Sequence, residues 1–146
     1  PDAPDQVLDV LADAGADLRR VVMSHLDRTV DDLNVLFGIA SRGCYLEYDL
    51  FGLESSHYPL GDLDMPSDAQ RLGFIRSLIE GGYGDRIVVG HDIYSKHRLV
   101  TYGGHGYAHF LQNIVPKMEA RGFAREHIDA ITVENPRRLL TFAAPL

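Results

Sequence analysis

Three apolar runs in this chain turn polar at their far ends: Val21-Val22-Met23-Ser24-His25, Tyr45-Leu46-Glu47-Tyr48-Asp49 and Val88-Val89-Gly90-His91-Asp92. A neutral imidazole and carboxylates gathered at one place are the donor set of a zinc-type site, with ligand distances of about 2.0–2.2 Å. A carboxylate beside such a metal can also accept the proton of the attacking water. Asp92 is therefore a candidate general base as well as a ligand. Taken singly, these residues have commoner uses. A strand-end histidine is more often a hydrogen-bonded structural residue, and a strand-end aspartate more often caps the next helix. The chemistry depends on whether the fold brings them to one rim.

The surrounding pattern supplies elements that could do so. Val7, Leu8, Val10, Leu11 and Ala14 mark one helical face within Asp5 to Ala14, with Gly15 as a stop. Arg20 to His25 reads as a buried strand. Thr29 is placed to cap the next helix, with Asp31 and Asp32 in its first turn, and Leu33, Leu36, Phe37, Ile39 and Ala40 on its apolar side. Cys44 to Asp49 is a second strand, and Leu50 to Pro66 a loop rich in Gly, Ser, Pro and Asp. Ser67 or Asp68 caps a third helix bearing Leu72, Ile75, Leu78 and Ile79, which Gly81-Gly82 ends. Arg86 to Gly90 is a third strand, and His91 to Tyr107 a loop. A fourth helix follows from Ala108 to Arg121. Two short helical pieces close the chain, Glu126 to Val133 and Pro136 to Phe142, separated at Asn135-Pro136. Alternating helices and strands imply a parallel sheet, either doubly wound and open or part of a β/α barrel.

In both architectures ligands bind at the carboxyl ends of the strands. Side chains alternate along a strand, so Asp92 shares a face with Gly90 and Val88, while His91 goes with Val89 and Ile87. A residue as small as Gly90 suits a crowded barrel interior, which makes Asp92 the inward member. The segment Tyr102-Gly103-Gly104-His105-Gly106-Tyr107 reads as a loop wall whose Tyr102 and His105 could touch substrate. A phosphate cradle there is the weaker reading, because the P-loop Lys-Ser/Thr is missing. His57, His97 and His127 have no partner pattern and are expected to be surface or structural.

Composition narrows the partners. The net charge of −7 over 146 residues disfavours nucleic acid and anionic membranes. The single cysteine, Cys44, permits no intrachain disulfide and is expected to be a small buried hydrophobe. It suits a reducing compartment, so a cytoplasmic location is expected. No apolar run approaches the roughly 20 residues of a membrane span. The first residue is proline, which suggests that the natural start lies further upstream.

These motifs together resemble the phosphotriesterase-related family of the amidohydrolase superfamily. Val22 to Asp27 is similar to its sixth barrel strand, Gly43 to Gly52 to its seventh, Ile87 to Asp92 to its eighth, and Ile131 to Leu140 to its closing helix. The resemblance implies that residues 1–146 are a single segment, the C-terminal part (strands 6–8 and flanking helices) of a (β/α)8 TIM barrel. It further implies two divalent metal ions, zinc being the expected one. His25 would be a ligand of the more exposed metal. Asp92 would bind the more buried one and relay the proton of the bridging hydroxide. Asp27 would belong to a relay beyond the metals, and Asp49 would stand beside the metals or the substrate. The implied activity is hydrolysis of an ester, lactone, phosphotriester or amide, with lactonases among the family's members. Leu50 is apolar where organophosphate and lactone hydrolases carry His or Arg, which weakens those two substrate assignments. The family's first-strand His-x-His pair, its carboxylated lysine or Glu and its fifth-strand His would all precede Pro1.

A full barrel takes about 250 residues, so the segment is expected to pack against a missing N-terminal part or a homo-oligomer partner, and to be inactive by itself. The rival reading is a non-catalytic binding module that keeps the barrel fold. An open-sheet phosphate-binding domain using Gly103 to Gly106 is a third.

Overall fold

The computed structural model describes residues 3–55, 58 and 64–142. Three strands, β1 (Val22–Met23), β2 (Tyr45–Tyr48) and β3 (Ile87–Val89), form a parallel sheet in the order β1-β2-β3. Met23, Leu46 and Ile87 lie in register across it, as do Glu47 with Val88 and Tyr48 with Val89. One face, with Met23, Leu46, Tyr48 and Ile87, joins the main core with Leu36, Ile39, Leu72, Ile75, Leu78, Ile114 and Ile131. The other face carries Tyr45, Glu47 and Val88, as alternation requires.

The helices are α1 (Ala3–Asp13), α2 (Leu26–Thr29), α3 (Leu33–Ser41), α4 (Asp68–Glu80), α5 (Val115–Ala120), α6 (Arg125–Asp129) and α7 (Asn135–Leu140). Ser67 caps α4 through a full capping box with Gln70, as its Ser-x-x-Gln spacing allows. The cap of α3 differs from expectation. Asp32 accepts from the Asn34 N–H and is the cap, whereas Thr29 ends α2 and donates to the His25 carbonyl at 2.8 Å. Asp32 wins because its carboxylate stands one residue before the helix, while Thr29 is already turned into another.

The expected break at Asn135-Pro136 is absent. A π-type turn, Ala130–Glu134, joins α6 to α7, and the Asn135 N–H reaches back to Ala130 O. A matching turn, Phe110–Ile114, precedes α5 and Pro116, with the Val115 N–H bonded to Phe110 O. Proline has no N–H to give, and the wider turn just before it lets the helix pass without a break. Asn135 is wholly buried and donates to Gly84 O and Ile87 O at 2.9 and 2.8 Å, which pins the closing helix to the start of β3. No helix among the described residues is long and apolar enough to cross a membrane.

Candidate active site at the strand ends

Because the sheet is parallel, the segments leaving β1, β2 and β3 all emerge at its carboxyl edge. His25 lies two residues beyond β1 and holds a left-handed backbone, φ 59°. Its Nδ1 is 2.9 Å from the Asp49 carboxylate. An ionised carboxylate can only accept, so Nδ1 carries the proton and the Nε2 lone pair is left free. Nε2 has no partner among the described residues, and the side chain is 35 % exposed. A histidine oriented by a carboxylate with its other nitrogen free is the usual preparation of a metal ligand. Burial raises the carboxyl of Asp49, and the hydrogen bond from His25 works against that rise.

Gly90 faces Asp49 across the sheet. A Cβ there would come within 3.2 Å of the Asp49 Cβ, so no larger residue fits without displacement. Asp92 is exposed and, like His25, adopts a left-handed backbone without being glycine, φ 42°. Arg98, itself buried, donates to the Asp92 carbonyl at 2.9 Å and to the Phe51 carbonyl at 3.2 Å. Neither His25 nor Asp49 bonds to Asp92 among the described residues. Two strand spacings separate β1 from β3, about 9–10 Å.

Asp27 is committed elsewhere. It pairs with Arg71 at 2.8 Å and accepts the Leu50 N–H at 3.0 Å, leaving its Oδ1 buried and without a partner among the described residues. Burial raises its carboxyl, with Arg71 opposing. Arg71 also pairs with Asp68 at 2.7 Å, and Asp68 with His109 at 2.7 Å. Burial works against ionising Asp68, but hydrogen bonds from His109, the Gly52 N–H and Arg71 outweigh it, and the carboxyl is held below its ordinary value. This buried chain clamps the loop after β2 through Leu50, Gly52 and the Leu53 carbonyl. Sequence reasoning missed it. Asp68 and Arg71 stand at helical i,i+3 spacing, a signal available beforehand, whereas nothing local announced His109.

Tyr102 and His105 do not join the His25–Asp49 pair. Tyr102 is 58 % exposed, with Lys96 over its ring, and the His105 ring packs 4.3 Å from that of His109. The glycine loop uses its own N–H groups. Gly103, Gly104 and Gly106 donate to Val100 O, Leu99 O and Arg98 O. A Cβ on Gly104 would lie 2.1 Å from the Arg98 backbone, so the glycines serve close packing, and the phosphate-cradle reading loses its donors. His91, two residues beyond β3, accepts the Phe110 N–H through Nε2 at 3.0 Å. Glu47, on the face of Asp49, is hydrogen-bonded by Ser24 and was also overlooked, although alternation alone would place it there. Cys44 is buried, as expected. His97 is exposed beside Ser95, and His57 lies outside the described residues.

Among the described residues no three His, Cys, Asp or Glu side chains converge as a metal site. The donors this chain does present at the carboxyl edge, His25 with Asp49 behind it and Asp92 beyond β3, fit part of one. The chemistry of the set agrees, since imidazole and carboxylate both suit zinc.

Comparison with known proteins gives the same direction. The N-acetyltaurine hydrolases of Dictyostelium discoideum and Homo sapiens are 54% and 55% identical over 140 and 141 residues. Those matches cover 95% and 96% of this chain, which spans only 38% and 40% of each relative's length. A resiniferatoxin-binding protein from Rhodobacter sphaeroides superposes with a TM-score of 0.88 at 34% identity, covering 93% of this chain and 38% of that one. The phosphotriesterase homology protein from Escherichia coli, solved with phosphate in its active site, gives 0.78 at 26% identity, covering 92% and 43%. The model of the phosphotriesterase family matches residues 1–140, and the chain belongs to that family.

Proposed function

We propose that this chain is the portion of a phosphotriesterase-type barrel holding its last three strands, and that the whole protein is a metal-dependent hydrolase. The observation that carries the reading is the His25–Asp49 pair, with Nε2 left free at the carboxyl edge. His25 and Asp92 would hold metal ions together with ligands from the rest of the barrel, since imidazole and carboxylate both suit zinc. When bound, such ions polarise the scissile carbonyl and lower the pKa of the attacking water. The chain's own groups do the rest. Asp49 fixes the tautomer and ring plane of His25. Asp92 contributes a carboxylate that takes the proton of the attacking water. Gly90 keeps the space beside Asp49 open.

The relatives are named for hydrolysis of N-acetyltaurine, so we take an N-acyl amine as the substrate class and amide cleavage as the reaction. Leu50 supports this choice over phosphotriesters and lactones. Replacing Asp92 by Ala in the full-length protein is expected to abolish amide turnover, measured as acetate release. Activity retained within a few-fold would overturn the reading. Elemental analysis gives an independent check. About two metal ions per full-length chain are expected, and none would favour the binding-module alternative.

A further inference from the structure

We propose that Arg28 forms an anion subsite, which holds the sulfonate or carboxylate end of the substrate while its amide lies at the strand ends. This deepens the hydrolase reading and rests on it for the second half of that statement.

Four cations stand at the carboxyl edge among the described residues; two are taken up by carboxylates or backbone carbonyls, and Lys96 and Arg28 each lie over a tyrosine ring. Arg71 is enclosed between Asp27 and Asp68. Arg98 is buried and bonded to two backbone carbonyls. Lys96 sits over the Tyr102 ring on the loop after β3. Arg28 is different. It lies in α2, three residues past His25, and lines a cavity of about 860 Å³. Its guanidinium meets the Tyr58 hydroxyl and lies 5.3 Å from the centre of that ring. Its Nε is buried without an acceptor, and no carboxylate pairs with it among the described residues.

A guanidinium offers five donors in a planar fork suited to a two- or three-oxygen anion, and a buried donor left unmade is costly. Nε itself is covered by protein and Nη1 meets Tyr58, so Nη2, which has no partner among the described residues, is the donor left for an anionic ligand oxygen. Asp27 shares the cavity wall, but its charge is taken up by Arg71. Asp31 and Asp64 also line the cavity; both are exposed, where solvent screens them. The cavity is of the size that holds a small ligand, about 300–1,000 Å³. One helical turn, about 5 Å, separates Arg28 from His25. That is the length scale of a short spacer between an amide and an acid group.

The test uses the full-length protein and its Arg28→Met and Arg28→Lys variants. Kinetics are measured on N-acetyltaurine and on N-ethylacetamide, the same amide without the sulfonate. In Arg28→Met the preference for the charged amide is expected to fall about 10- to 100-fold. The loss should appear in KM, and Arg28→Lys should restore part of it. An equal loss on both amides, or no change in KM, overturns the subsite. Calorimetric titration with ethanesulfonate and with propionate reads binding without turnover and separates the two anions. Binding of either that disappears in Arg28→Met supports the subsite even where the wild type cleaves neither amide, a result that would end the hydrolase reading alone. Binding indifferent to Arg28→Met, or absent for both anions, ends the subsite.

Discussion

At the scale of single residues, the site is organised by which atoms are already used. Asp49 is more than a neighbour of His25, because it decides which imidazole nitrogen remains available. Replacing Asp49 by Ala in the full-length protein should therefore weaken metal binding about 10- to 100-fold, read by competition with a chelator. Retention of wild-type affinity would mean that His25 needs no orientation. Asp68 makes a different kind of prediction. Its carboxyl sits below its ordinary value of 3.8 in the fold, so its stabilising contribution is complete above that value. The contribution is lost as the pH falls through the lower folded value. The stability gap between wild type and Asp68→Asn should thus be constant near neutrality and close only below the usual carboxylate range. Urea titrations at several pH values would show it.

At the scale of elements, the loop after β2 is the part most dependent on one side chain. Arg71 is wholly buried and bridges two carboxylates and a backbone carbonyl. Arg71→Met leaves the buried Asp27 without a counter-charge and Asp68 with His109 alone, a loss of about 3–5 kcal/mol. Arg125 also pairs with two carboxylates, but it is 72 % exposed, and Arg125→Ala should cost less than about 1 kcal/mol. Denaturant midpoints of the two variants compare them directly. The loop after β3 depends on space instead. Gly104→Ala would put a methyl inside the Arg98 backbone, so the loop must open at that point. Faster amide exchange confined to residues 98–106 is the expected sign.

At the scale of the molecule, three parallel strands leave β1 and β3 as edges among the described residues. Unpaired edges recruit further strands. The relatives are more than twice as long as this chain, which is consistent with additional strands on both sides. Expressed alone, residues 1–146 should self-associate through those edges, whereas a well-folded monomer of 16.2 kDa in light scattering would contradict that expectation.

Element types and the strand-end candidates were legible in the sequence because both are local. Helical spacing, the Ser67–Gln70 box and the alternation around Gly90 depend on residues a few positions apart. The misreadings have local causes too. Thr29 and Asp32 both suit a cap, and only the placement of the intervening turn chooses between them. Pro136 looks like a break unless a widened turn precedes it. Tertiary structure alone decided the pairing of His25 with Asp49, the Asp27–Arg71–Asp68–His109 chain and the placing of Arg28, without a carboxylate partner among the described residues, at a cavity. Apart from the local Arg71–Asp68 step, those contacts join residues 24 to 44 positions apart, or depend on which polar groups are left over once the rest are satisfied. Sequence spacing carries no record of that remainder, because burial and pairing are settled only when separate elements meet.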